Sequence, residues 1–180
     1  MIYRLRILLI IIFMAVVASA CSTVKIADYR GETPSLSLRD YFNGEVHAWG
    51  QVQDRSGKVI KRFTVKLIGE WQGDAGKLTE DFVFSDGTLL QRIWYLKDLG
   101  DGRYEGRADD VVGVAQGIAQ GNALQWQYTL RLPVDGKTYD VAFNDWMYLH
   151  DARTLVNRAE MSKFGIHLAE ITLFFQKVTP

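Results

Sequence analysis

The chain has 180 residues, 48% hydrophobic and 23% charged, and its 21 Lys and Arg balance 21 Asp and Glu. This composition is ordinary for one globular domain and excludes disorder, which requires low hydrophobicity and a large net charge. There is no basic excess for nucleic acid, and a single Cys excludes an internal disulfide or a multi-cysteine zinc site.

The first twenty residues differ from the rest. Arg4 and Arg6 precede an uncharged apolar run from Ile7 to Val17, and small Ala18, Ser19 and Ala20 follow. That order describes a secretory signal peptide over 1–20. Its apolar core is short for a span of about 20 residues. Val17-Ala18-Ser19-Ala20-Cys21 resembles a bacterial lipobox. In that motif the Cys thiol receives a diacylglycerol and the new amine is acylated, for example with palmitate. An ordinary signal with an incidental Cys, or an uncleaved anchor, are the alternatives. Two or three acyl chains at Cys21 would hold the protein stably on a membrane, where one chain binds only marginally. Ser22, in place of the Asp that retains lipoproteins at the inner membrane of enteric-type bacteria, favours the outer membrane and its periplasmic face. Without the leader, 160 residues remain, with 19 Lys and Arg against 21 Asp and Glu. Such a surface does not grip anionic membranes by charge.

Residues 21–36 read as a polar, lipidated tether. Ser37 to Phe42 fits one helical turn, ended by Asn43-Gly44. From there a period of two dominates. Val46, Ala48, Gly50 and Val52 alternate with polar residues, as do Phe63, Val65 and Leu67. Leu78, Phe82 and Phe84 lead to the hairpin signal Asp86-Gly87. Leu89 to Lys97 is apolar on both faces, which predicts a well-buried strand. Leu124, Trp126, Tyr128, Leu130 and Leu132 form the cleanest strand, followed by the hairpin signal Asp135-Gly136. Tyr139 to Leu149, 153–161 and 165–176 supply the last strands.

Turns recur every 8–14 residues or so, and no long segment has a 3.6-residue period. The fold class is therefore all-β: an antiparallel up-and-down barrel of about 8–10 strands with a short N-terminal helical turn, over 37–180. Closure hides the strand edges; a sandwich is the alternative. Gly113, Gly117 and Gly121 recur every fourth residue. On a strand they would share one face and leave a groove for a ligand or another chain segment; a loop over one barrel end fits equally, and a helix fits less well.

Catalytic patterns are poor. Gly136-Lys137-Thr138 lacks the earlier Gly of a phosphate loop, and Gly100, Gly102 and Gly106 miss the dinucleotide spacing. His47, His150 and His167 are scattered, so no metal site or cofactor is implied. Only Asp145 with His150 could seed acid–base chemistry. The informative residues are charges on apolar faces. Asp145 shares a face with Val141, Phe143, Met147 and Leu149, and Arg92 with Leu90, Trp94 and Leu96. A lone buried charge is costly, so each needs a partner. Arg158, Asn157 and Lys163 are candidates for Asp145. Arg92, Asp145 and Arg158 are thus either salt-bridging residues or polar anchors for a ligand head group. Trp49 and Trp146 fall on polar faces and could flank a mouth or a partner surface.

Several blocks, Tyr41-Phe-Asn-Gly44, Ala48-Trp49-Gly50, Gly106 to Gly113, Gly121 to Trp126, Asn144 to Leu149 and Met161 to Gly165, resemble a group of proteobacterial lipoproteins catalogued as domain of unknown function 3833. The resemblance covers nearly the whole chain after the leader. It implies a lipoprotein with a lipocalin-like or related barrel, and no assigned activity. More distantly, Leu38 to Gly44 is similar to the opening turn of lipocalins. The expected function is carriage of a lipid or other apolar small molecule in the barrel of an outer-membrane lipoprotein. A packed barrel serving as a structural or assembly partner is the alternative, and an envelope enzyme is a weaker one. A continuous apolar cavity above about 300 Å³ with Asp145 or Arg92 at its wall distinguishes the first from the second.

Overall fold

A computed structural model describes residues 24–134 and 136–178. The segment read as a signal peptide, Cys21 and Asp135 lie outside the described residues. Ten antiparallel strands follow one another: β1 (Gly44–Asp54), β2 (Val59–Gln72), β3 (Ala75–Phe84), β4 (Leu89–Gly100), β5 (Arg103–Arg107), β6 (Ala115–Gln120), β7 (Ala123–Val134), β8 (Lys137–Leu149), β9 (Thr154–Lys163) and β10 (Ile166–Lys177). Each strand pairs with its sequence neighbours, and β1 closes on β10 from Val46↔Lys177 to Asp54↔Ala169. The result is the up-and-down barrel that the period-two pattern predicts.

Alternation sets the inside and the outside. Along β2, Phe63, Val65 and Leu67 are buried, while Thr64 and Lys66 are exposed. Along β7, Leu124, Trp126 and Leu130 are buried inside. An apolar interior and a polar exterior are the reverse of a membrane-spanning barrel, whose outward band is apolar. Among the described residues no helix is long and apolar enough to cross a membrane.

One barrel end is closed by helix α1 (Leu38–Phe42). Ser37 caps it by accepting the Asp40 N–H at 3.2 Å. Leu38, Tyr41 and Phe42 are buried against the barrel floor, and the Tyr41 hydroxyl donates to the Arg153 carbonyl at 2.9 Å. The Phe42 carbonyl comes so close to β2 at Gly69 that no side chain would fit there. The hairpins at the opposite end are tight; Asp86-Gly87, with Gly87 at φ 83°, turns β3 into β4 as expected.

Leu89 to Lys97 departs from the expected buried strand. Leu89 is 73% exposed and Tyr95 lies in solvent. Leu89 begins β4 at a hairpin, and Tyr95 points outward, so only Trp94 and Leu96 of this stretch are buried.

The three spaced glycines divide between roles. Gly113 lies in the loop between β5 and β6, Gly117 is in β6, and Gly121 is in the turn to β7. No open groove results. The ring of Trp126 lies over Gly117 and over Gly106 of β5, and the backbone of Tyr29 and Glu32 approaches Gly121. Gly117→Val is expected to destabilise the protein by about 2 kcal/mol or more in urea unfolding, because the indole must leave its seat. A loss below about 0.5 kcal/mol would show that Trp126 does not depend on this gap.

The described part of the expected tether, Val24 to Leu36, lies along the barrel. A 3-10 turn (Ile26–Tyr29) sets Tyr29 against Trp146 and Tyr148, with ring centroids 5.9 and 5.4 Å away. The Leu36 N–H donates to the Gly121 carbonyl at 2.8 Å, and the Leu36 side chain is buried.

Candidate functional site

The barrel is not filled by its own side chains. A cavity of about 330 Å³ extends from Leu38 and Phe42 on α1 toward Leu90 and Leu132 near the hairpin end. Its wall is mostly aliphatic and aromatic, including Trp94, Trp126 and Tyr128. The volume falls within the range of small-molecule sites, about 300–1,000 Å³. Arg92 and Asp145 both stand in its wall.

Two polar groups interrupt the apolar lining. The first is built on Arg92. Its guanidinium donates to Asp110, from the β5–β6 loop, through Nη2 to Oδ2 at 2.7 Å and Nε to Oδ2 at 2.9 Å, with Nε 3.2 Å from Oδ1. Such a two-pronged pair is a strong form of ion pairing. Arg92 also lies opposite Glu80 in the β3–β4 register and over the Phe82 ring. Burial pushes the Glu80 carboxyl up to about 7, although the Arg92 charge pulls it down.

The second group is Asp145 with Asn157. They are 6% and 3% exposed. β8 and β9 bring them together, since Asp145↔Ala159 and Met147↔Asn157 are paired positions and 145 and 157 both point inward. Asn157 Nδ2 donates to Asp145 Oδ2 at 3.3 Å. Asp145 Oδ1 and Asn157 Oδ1 have no hydrogen-bond partner among the described residues. Burial pushes the Asp145 carboxyl up to about 7, against the opposing pull of the Asn157 N–H and of Arg92. A buried acceptor without a donor costs about 1–3 kcal/mol, so this pair lowers the stability of the barrel wall.

Arg158 does not join this group. It follows Asn157 in β9 and so points outward, its side chain 70% exposed and paired with Glu170. Alternation along a strand forbids neighbours from sharing a face. Asp145 therefore has an amide partner, Asn157, and no cation bonded to it among the described residues. Lys163 ends β9, 4.7 Å from the Tyr139 ring centroid. Trp49 and Trp146 sit on the outer wall. Trp49 is 47% exposed against Phe174, and Trp146 is partly covered by Tyr29. His150 is exposed at the end of β8, apart from the buried carboxyl of Asp145.

Sequence reasoning did not single out Glu80 or Asp110. Glu80 had a signal, because it fills the gap in the inward series Leu78, Phe82, Phe84 of β3. Asp110 lies in a loop, where no period tells which way a side chain points.

A closed, meandering lipocalin-like barrel with an apolar interior is thus the class of protein that the fold defines. The chain belongs to the family described as Protein of unknown function (DUF3833), which it matches over residues 15–177. No curated protein matches the sequence. Among solved structures it is similar to an S-type phycobiliprotein lyase from Guillardia theta, at 6% identity and a TM-score of 0.59, over 81% of this chain and 94% of that one. It is also similar to a protein of unknown function from the DUF3598 family of Nostoc punctiforme, at 13% identity and a TM-score of 0.56. That match covers 82% of this chain and about half, 51%, of the other. At these identities the likeness concerns the fold.

Proposed function

We propose that this protein is a lipoprotein, anchored through acyl chains on Cys21 to the periplasmic face of the outer membrane, whose barrel carries a lipid or other apolar small molecule. The observation that supports carriage most directly is the cavity of about 330 Å³ with its mostly aliphatic and aromatic wall. The phycobiliprotein lyase of similar fold is compatible with small-molecule chemistry inside such a barrel. Carriage is supported by the lining itself, which is dominated by aliphatic and aromatic side chains.

The anchoring is tested by mass spectrometry of the N-terminal peptide of the protein isolated from its native envelope. A diacylglycerol-modified, acylated Cys21 is expected; an unmodified thiol in an uncleaved chain would contradict it. The carriage is tested by organic extraction of that protein and of Ala159→Leu. Ala159 lines the cavity and is 2% exposed, so three further carbons at this position fill part of the space. Overpacking of this kind costs about 1–3 kcal/mol, which a closed barrel can tolerate. A stoichiometric apolar compound is expected in the native protein, reduced about tenfold or more in the folded variant. Equal amounts in both would place the compound outside the barrel.

A further inference from the structure

Arg92 is the one cation among the described lining residues, and its donors are only partly used. Asp110 takes the N–H groups of Nε and Nη2. Nη1 has no acceptor among the described residues, and the Tyr128 hydroxyl makes no hydrogen bond there either, yet both atoms remain accessible in side chains that line the cavity. The two belong to one region of the wall. The Tyr128 ring meets that of Trp94 with centroids 5.5 Å apart, and Trp94 stands two residues from Arg92 on the inner face of β4. By contrast, Asp145 Oδ1 and Asn157 Oδ1 are sealed within the wall and do not reach a guest. Burial pushes the Glu80 carboxyl up to about 7, against the pull of Arg92 and of the Trp94 indole N–H. Burial brings Asp145 to about 7 as well. At pH 6 both are mostly protonated, and the charges that remain here, Arg92 and Asp110, cancel.

Resting on the carriage reading above, we infer that the molecule carried presents an uncharged carbonyl group, a ketone or an ester, whose oxygen accepts from Arg92 Nη1 and the Tyr128 hydroxyl. A carbonyl oxygen has two lone pairs, one for each donor, and brings no proton that needs an acceptor of its own. A carboxylate could accept the same two bonds. Its charge would then be left over in an apolar cavity, because Asp110 already balances Arg92. A hydrogen bond from a guanidinium is stronger than one between neutral groups, so the carbonyl gains that attraction without the cost of burying a net charge. The rest of the lining, aromatic and aliphatic, suits the apolar body of such a molecule.

The test is calorimetric titration of the full-length protein at pH 6 with propiophenone, propylbenzene and hydrocinnamate. The first two differ by a carbonyl in place of a methylene, and the third carries a carboxylate. A fluorinated surfactant keeps the protein in solution without supplying a competing hydrocarbon. Propiophenone is expected to bind about tenfold or more tightly than hydrocinnamate. In Tyr128→Phe, which removes a hydroxyl that makes no bond in the fold, propiophenone should weaken about fivefold while propylbenzene is unchanged. The carbonyl stretch of bound propiophenone, read by infrared difference spectroscopy, should lie below its position in an alkane and move back up in the variant. Tightest binding of hydrocinnamate, or an equal response of propiophenone and propylbenzene to Tyr128→Phe, overturns the carbonyl assignment and leaves the carriage reading standing. A carbonyl stretch placed as in an alkane overturns it as well. Binding of none of the three, or binding unaffected by Ala159→Leu, overturns the carriage reading together with it.

Discussion

Trp126→Ala is expected to destabilise the barrel by about 3–5 kcal/mol, the usual cost of emptying a buried aromatic site. For a chain of this size the melting temperature should fall by about 10 °C. The indole is 5% exposed and meets Trp94 edge-on, with ring centroids 5.7 Å apart and planes at 78°. The ring also lies over the bare backbone of Gly106 and Gly117, on two strands that approach it because they lack a side chain there. Neighbouring strands cannot move inward to fill the gap without breaking barrel closure, so relaxation is limited. The pairing gives a sharper check. In Trp126→Ala the valine of Gly117→Val no longer meets a ring, so the double variant should be less unstable than the sum of the two single losses. Simple addition, or a loss below about 1 kcal/mol for Trp126→Ala, would show that the indole does not pack as described.

Asp145→Asn is expected to do the opposite and stabilise the protein at pH 8. Burial raises the Asp145 carboxyl from 3.8 to about 7. Between those values the folded state keeps a proton that the unfolded chain releases, so stability falls as pH rises from about 4 to about 7. A rise of this size is worth at most about 4 kcal/mol, all of it lost by pH 8. The amide is neutral at every pH and of the same shape. It also offers an N–H that the unpartnered Asn157 Oδ1 can accept. A gain of about 2–4 kcal/mol at pH 8 is expected, with little change near pH 4. Glu80, also raised to about 7, leaves a residual slope of the same sign in the variant. Urea unfolding of both proteins from pH 4 to pH 8 checks this. Parallel stability curves would mean that Asp145 is not held in a low-dielectric site. The native carboxylate then lowers stability, as is common where a residue serves binding instead of packing.

How much of this was legible in the sequence depended on periodicity. Leu124 to Leu132 and Phe63 to Leu67 announced strands with one apolar face, and Asp86-Gly87 a hairpin, because side-chain alternation and turn chemistry are local properties. The inward placement of Asp145 and Arg92 followed from the same parity. Partners did not. Parity says that Arg158 and Asn157 face opposite ways, but not which of the two faces inward. The structure assigns Asn157 to Asp145 and Arg158 to Glu170. Asp110 reaches Arg92 from the loop between β5 and β6, and loop direction has no signature in a period. Leu89 shows the converse failure. Its apolar run suggested burial, yet a residue at the start of a strand beyond a hairpin has no neighbours to bury it. The seat of Trp126 was hidden for a similar reason, since Gly106 and Gly117 are brought to it only by closure of the sheet.

The most direct measurement is a crystal structure of the protein purified from its native envelope without delipidation. Continuous density is expected inside the barrel, running along Trp94 and Trp126. An interior holding only water, or one closed by inward movement of its aromatic side chains, would contradict carriage and leave a packed barrel that acts through its outer surface.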